Sequence, residues 1–117
     1  MSFKNMSDKT HVKKLKPHHQ VSLDHAVVKV GAKWCKACRE SAESYEKMAK
    51  KYDKIDFYDV DADRFDKEKS MMKDINKIVK KTSAMPTFYF FRKGKIVGSV
   101  EGYSTSKFKM YLAAIEA

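Results

Sequence analysis

Two cysteines stand three positions apart in Cys35-Lys36-Ala37-Cys38, and the chain holds no others. That spacing suits thiol–disulfide exchange, in which the thiolate rather than the thiol is the nucleophile. If the motif opens a helix, Cys35 lies in the first turn. There, unpaired backbone N–H groups and the positive end of the helix dipole both favour a sulfur anion. Cys38, one turn later, comes to the same side and within reach of a mixed disulfide on Cys35. Lys33 and Lys36 add positive charge and are expected to lower the Cys35 pKa further. Two other readings use the same residues. A zinc site usually has four ligands, so two of His11, His18, His19 and His25 would have to complete it. Alternatively, both thiols are buried and inert. Spacing alone does not separate these readings; the surrounding elements do.

Thiol chemistry of this kind needs a strand before the pair and a helix after it. Ala26-Val27-Val28-Lys29-Val30-Gly31 is a short apolar run that predicts a central strand. From Cys38 onward, Ala42, Tyr45, Met48, Ala49 and Tyr52 trace one helical face, which ends at Asp53-Lys54. Ile55 to Asp61 reads as a strand. A second helix is predicted to carry Phe65, Met71, Met72, Ile75, Ile78 and Val79. Phe88-Tyr89-Phe90-Phe91 has high strand propensity, Lys93-Gly94 marks a hairpin turn, and Lys95 to Val100 returns. A last helix starts near Ser104-Thr105-Ser106 and shows Phe108, Tyr111, Leu112 and Ile115 on one face. His11 to Leu15 suits a short edge strand, and Pro17 places a loop after it. The order predicts an α/β fold, a central mixed β-sheet flanked by helices on both faces. Residues 1–11 read as a disordered basic tail and 12–117 as a single domain.

The chain has 117 residues, enough for one modest core. Its net charge of +10 comes from 22 lysines and 3 arginines. Arginine is the residue suited to bidentate phosphate and base contacts, so a lysine excess argues only weakly for nucleic-acid recognition. It reads as a solvated surface that would still attract an acidic partner. No stretch approaches the roughly 20 apolar residues of a membrane span, and the first residues lack the apolar run of a secretory signal. The expected location is therefore cytoplasmic, where a stable structural disulfide is rare and a chemical role for the cysteines is favoured.

With these elements in place a resemblance emerges. Ala32-Lys33-Trp34-Cys35-Lys36-Ala37-Cys38 resembles the active-site segment of the thioredoxin family, with its tryptophan before the first cysteine. Val60-Asp61-Ala62-Asp63 is similar to the end of the family's third strand. Ser83 to Gly94, which contains Met85-Pro86-Thr87, resembles the cis-proline loop and hairpin of the eukaryotic type. Val97-Gly98 and Glu101-Gly102 resemble its final strand and glycine. The resemblance implies the thioredoxin fold and a protein-disulfide oxidoreductase that uses Cys35 as nucleophile and Cys38 as resolving thiol. Trp34, Lys36, Ala37, Met85, Pro86 and Gly102 would border the substrate. Pro86 would be cis, and the Met85 backbone would pair with substrate as an added strand. Protein disulfides would be the substrates and a reductase, such as thioredoxin reductase, the electron donor. No metal or organic cofactor, nucleic acid or membrane is implied. The alternatives are an oxidase or isomerase direction and a binding module without turnover.

Several positions depart from the family pattern. Lys36-Ala37 replaces the usual Gly-Pro, which implies a less reducing potential. Thioredoxins bury an aspartate six residues before the first cysteine, where this chain has Lys29. On the facing strand, a position that is often lysine in bacterial members holds Asp59. The two charges are thus exchanged and are expected to pair beneath the motif, since either alone would be a costly buried charge. Asp59 would then serve as base for Cys38 and Lys29 would favour the thiolates. In the alternative, both side chains reach solvent with no catalytic part. Glu43 replaces a kinking proline, so a straighter helix is expected. The segment before Val27 is too short for a full first helix, and extra residues around Arg64 to Lys81 predict a lengthened third helix.

Overall fold

Ala26 to Val30 has no exposed residue, as a strand covered on both faces requires. This strand, β2 (His25–Gly31), is the middle of a five-stranded sheet ordered β1-β3-β2-β4-β5 in a computed structural model that describes residues 10–117. Strands β1 (Val12–Lys14) and β3 (Asp56–Asp61) run parallel to it, β4 (Thr87–Arg92) runs antiparallel, and β5 (Lys95–Glu101), antiparallel to β4, again follows the direction of β2. Most of the predicted tail, residues 1–9, lies outside the described residues. His11, which the sequence placed in that tail, is tied down: its backbone N–H and Nδ1 both meet the Glu46 carboxylate, at 2.7 and 3.0 Å.

Alternation along β2 divides the core. Ala26, Val28 and Val30 face one layer with Phe65, Ile75 and Ile78. Val27 faces the other, with Tyr45, Phe57, Phe88, Phe108 and Leu112. The first layer is built by helices α2 (Ala62–Lys67) and α3 (Lys73–Lys81), the second by α1 (Lys36–Lys51) and α4 (Thr105–Glu116). Lys29 lies one residue from Val28 and Val30, so it points into the α1 layer. Tyr45 locks α1 to the sheet there, its hydroxyl lying 2.8 Å from the Tyr58 carbonyl of β3 and 3.2 Å from the Val27 carbonyl of β2. Helix α1 is continuous through Glu43, and α4 is capped by Ser104, whose Oγ accepts from the Lys107 N–H. The β4–β5 turn has positive φ at Lys93 and Gly94, 53° and 77°, as a type I′ hairpin demands.

The lengthened third helix does not form. The extra residues instead make two short helices, α2 and α3, with an irregular break over residues 68–72. The predicted apolar face fails at this break: Met71 is 62% exposed, and the Ser70 hydroxyl takes the Met72 N–H. Asn76 closes the break from below, accepting from Ser70 N–H and donating to the Ser70 carbonyl, each at 2.8 Å. No helix forms between β1 and β2 either, where the sequence expected a shortened one. The two features are joined. Met71 N–H bonds the Pro17 carbonyl at 2.9 Å, and Met72 Sδ accepts from Val21 N–H at 3.4 Å. Met72 and Val21 then pack on the same core as Leu23 and Ile75. The inserted residues thus cover the sheet face that the short first connection leaves uncovered.

Because Asn76 satisfies both backbone groups of a buried serine, Asn76→Ala is expected to lower stability by about 1–3 kcal/mol. A fall in the urea midpoint at unchanged m-value would show it, and an unaltered midpoint would refute the coupling.

Candidate active site

Cys35 stands at the junction of β2 and α1 as the N-cap residue of the helix, with extended backbone. Its sulfur receives the Cys38 backbone N–H at 3.2 Å. This is one of the amides a helix start leaves unpaired, and a sulfur anion at Cys35 would use it fully. On its other side the Cys35 thiol lies 3.6 Å from the Met85 carbonyl. The Met85–Pro86 peptide bond is cis, as the sequence resemblance implied. Thr87 braces that loop by donating its hydroxyl to the Ala84 carbonyl at 2.6 Å. Gly102 adjoins it as well, donating its N–H to the Pro86 carbonyl at 2.7 Å. Two residues 50 positions apart thereby meet at one sulfur.

Cys38 is buried beneath, and both cysteines are free thiols. Burial, with the hydrogen bond of its thiol to Cys35, pushes the Cys38 pKa up to about 11. The nearby Lys29 charge pulls the other way. Gly31 permits this placement: a Cβ there would meet Cys38 Sγ at 2.9 Å, closer than real contacts allow.

The expected Lys29–Asp59 ion pair does not form. The two are direct register partners on β2 and β3, yet among the described residues no carboxylate lies within 4 Å of Lys29. Lys29 Nζ instead donates to the Cys38 carbonyl at 2.8 Å, an oxygen that also accepts from Ser41 Oγ at 3.0 Å. Only 4% of Lys29 is exposed, so it does not reach solvent. Asp59 is half-buried, and its carboxyl is raised above the usual range by burial, against the pull of Lys29 and Lys14. Both Asp59 and Lys29 line a cavity that also touches Cys38.

Trp34 is 66% exposed at the rim, with its indole N–H held by Asp63 Oδ2 at 2.8 Å. Lys36 and Ala37 are exposed, and Lys36 lies 3.8 Å from Glu40, so its charge is partly answered on the helix itself. Arg39 closes the β2–α1 loop by donating to the Lys33 carbonyl at 2.7 Å. Asp63, Arg39, Ser41 and Gly31 were not singled out from sequence as parts of the site. Asp63 is 29 positions from the indole it holds, and no local spacing signals such a contact. The zinc reading gains nothing: among the described residues no three His, Cys, Asp or Glu side chains gather as a metal-binding group.

A strand, a dithiol at a helix start and a cis-proline loop closing over the outer sulfur define the protein as a dithiol redox protein. The family model for thioredoxin matches residues 3–114. Thioredoxin H-type 2 of Nicotiana tabacum is 36% identical over 99 residues, covering 82% of this chain and 77% of that one. A solved thioredoxin of Malassezia sympodialis superposes with a TM-score of 0.69 at 26% identity, covering 93% and 94% of the two chains. A thioredoxin f2 solved in complex with ferredoxin:thioredoxin reductase shares the fold, with a TM-score of 0.70 at 17% identity over 92% and 96%. The chain belongs to the thioredoxin family of protein-disulfide oxidoreductases.

The raised Cys38 pKa sets two signs. Burial keeps the Cys38 thiol protonated at neutral pH, so its attack on a mixed disulfide at Cys35 is expected to accelerate about tenfold per pH unit as pH rises from neutral. Stopped-flow kinetics would measure this, and a flat profile would mean that a neighbouring base already takes the proton. Folded Cys38 also keeps a proton that the unfolded chain releases near 9.0. Stability of the reduced protein should therefore be full below pH 9 and fall as pH climbs towards 11.

Proposed function

We propose that this protein reduces protein disulfides, with Cys35 attacking and Cys38 resolving. The observation that carries the reading is the seat of the Cys35 sulfur, between the Cys38 N–H at a helix start and the Met85 carbonyl before Pro86. The Cys35 thiolate displaces one substrate sulfur as its thiolate and forms a mixed disulfide. Cys38, once deprotonated, attacks Cys35, the second substrate sulfur leaves with the electron pair, and the Cys35–Cys38 disulfide remains. The substrate gains two electrons and two protons.

The exposed Trp34 and the half-buried Met85 would form the walls between which an extended substrate lies, its backbone pairing with Met85. Lys36, Ala37 and Gly102 would border the same groove. Asp59 shares a cavity with Cys38 and would be the base that takes its proton in the case of a flat pH profile. Each turnover leaves the pair oxidised, so a reductase must return two electrons, as the complexed thioredoxin f2 suggests for this fold. A reducing compartment such as the cytoplasm would sustain that cycle.

Lys29 bears on the direction of exchange. A buried cation beside the pair favours thiolates, hence the reduced form, and so makes the protein a better oxidant. Its potential is expected to be less reducing than that of thioredoxins with an acid at this position. Lys29→Met should turn the protein more reducing in a glutathione equilibrium, and an unchanged or less reducing variant would refute the assignment.

The function itself is tested by insulin-disulfide reduction with dithiothreitol. Catalysis abolished by Cys35→Ser is expected, whereas an inert but folded wild type would favour a binding module. In extracts, Cys38→Ser should accumulate mixed disulfides through Cys35 that dithiothreitol releases.

A further inference from the structure

A cavity of about 370 Å³ lies against β1, β2, β3 and the first turn of α1. Cys38 lines it, whereas Trp34, Cys35, Met85 and Pro86 do not, so it is separate from the groove in which a substrate disulfide would lie. Six cationic residues line it: Lys14, Lys16, Lys29, Lys33, Arg39 and Arg64. They face two carboxylates, Asp59 and Asp61. Sheet register builds the imbalance in, because Asp59 is the register partner of Lys14 on one side and of Lys29 on the other. One carboxylate therefore serves two lysines.

Lys29 makes the imbalance costly. Its ammonium has three donors, and among the described residues it bonds one acceptor, the Cys38 carbonyl. With 4% exposure and no carboxylate within 4 Å, it is a buried charge whose nearest counter-charge, Asp59, is shared with Lys14 and out of contact. The arginines add forked donors. Arg39 commits Nη1 to the Lys33 carbonyl, and Arg64 stands exposed at the rim with no ion-pair partner among the described residues. Guanidinium forks match the geometry of tetrahedral oxyanions.

We propose that this cavity binds a small multivalent oxyanion of the phosphate class, held by Lys29 within and by Lys14, Arg39 and Arg64 at the rim. The volume admits a phosphate with several waters, at about 30 Å³ for each water, and leaves room for the carrier of a phosphate ester. Such an anion would lie on the Cys38 side of the pair. Its negative charge would oppose the Cys38 thiolate and slow the attack that breaks the Cys35–substrate bond. The net exchange of electrons would be the same, but the mixed disulfide would live longer. Binding does not depend on the reductase reading; only its kinetic consequence rests on that reading.

The test is calorimetric titration of the reduced full chain with inorganic phosphate, pyrophosphate and a phosphate monoester, at ionic strength matched with chloride. One-site saturation is expected, with a dissociation constant of about 1 mM or tighter. Arg64→Gln and Lys14→Gln, both at exposed residues, should each weaken it about tenfold, the loss of one charge-assisted contact. Lys109→Gln removes the same charge from the exposed face of α4, outside the cavity, and should leave affinity within about twofold. Absence of saturation, equal competition by chloride, or equal weakening by Lys109→Gln would overturn the site. By NMR, saturating phosphate should shift the Gly31 and Cys38 amides and raise the Cys38 titration midpoint; shifts confined to other surfaces would also overturn it. If the anion binds while insulin reduction fails, the site stands and the reductase reading falls. If reduction proceeds without anion binding, the reverse holds.

Discussion

The bond from Lys29 Nζ to the Cys38 carbonyl is the contact on which the site hangs. It joins the middle strand of the sheet to the first turn of the active-site helix in a place almost closed to water. A buried ammonium cannot be left without acceptors, and here the acceptor is the backbone of Cys38. Ser41 bonds the same oxygen, and Gly31 lets the Cys38 sulfur press against the strand. Tyr45, about two turns further along, repeats the attachment through the Val27 and Tyr58 carbonyls. With the helix fastened in this way, the Cys38 amide points at the Cys35 sulfur, and the outer thiol is presented to the Met85 loop.

That arrangement separates the two thiols by environment. Cys35 sits at a capped helix start beneath a rim formed by Trp34. Cys38 is shut beneath it with a raised pKa and a cation nearby. Placing a lysine rather than an acid under the pair inverts the local electrostatics, because a positive charge opposes what burial does to the thiol. Asp59 takes the opposite sign on the neighbouring strand but does not neutralise Lys29 directly, since the Cys38 carbonyl has already claimed the ammonium. The result is an excess of positive charge around a cavity on the Cys38 side of the pair.

A second constraint is coverage of the opposite sheet face. The connection from β1 to β2 forms no helix, so Val28, Val30 and Tyr58 would lose cover there. Residues 68–72 supply it by folding back onto Pro17 and Val21, with Met72 entering the core. An insertion and a shortening far apart in the chain are one structural change, and the cost of exposing apolar strand residues explains why they occur together.

Much of this was legible in the chain itself. The apolar run of β2, the 3.6-residue face of α1 and the Lys93-Gly94 turn are local patterns, and local patterns follow from backbone geometry. The Cys-x-x-Cys spacing at the start of a helix likewise specified the chemistry. The break between α2 and α3 was not visible, because Met71 and Met72 keep helical spacing while Asn76 and Ser70 provide the backbone with competing partners. The exchange of charge between Lys29 and Asp59 could be read from position, and register confirms that they are neighbours. Whether they paired could not, since the length of a lysine side chain lets it choose among acceptors within several ångströms. By itself, then, the sequence determined the strands, the helices α1 and α4, the cysteine pair and the signs of the charges around it. Tertiary structure alone decided that Lys29 would hold Cys38 and leave Asp59, because that choice is made by the packing of a helix onto a strand and by the water this packing excludes.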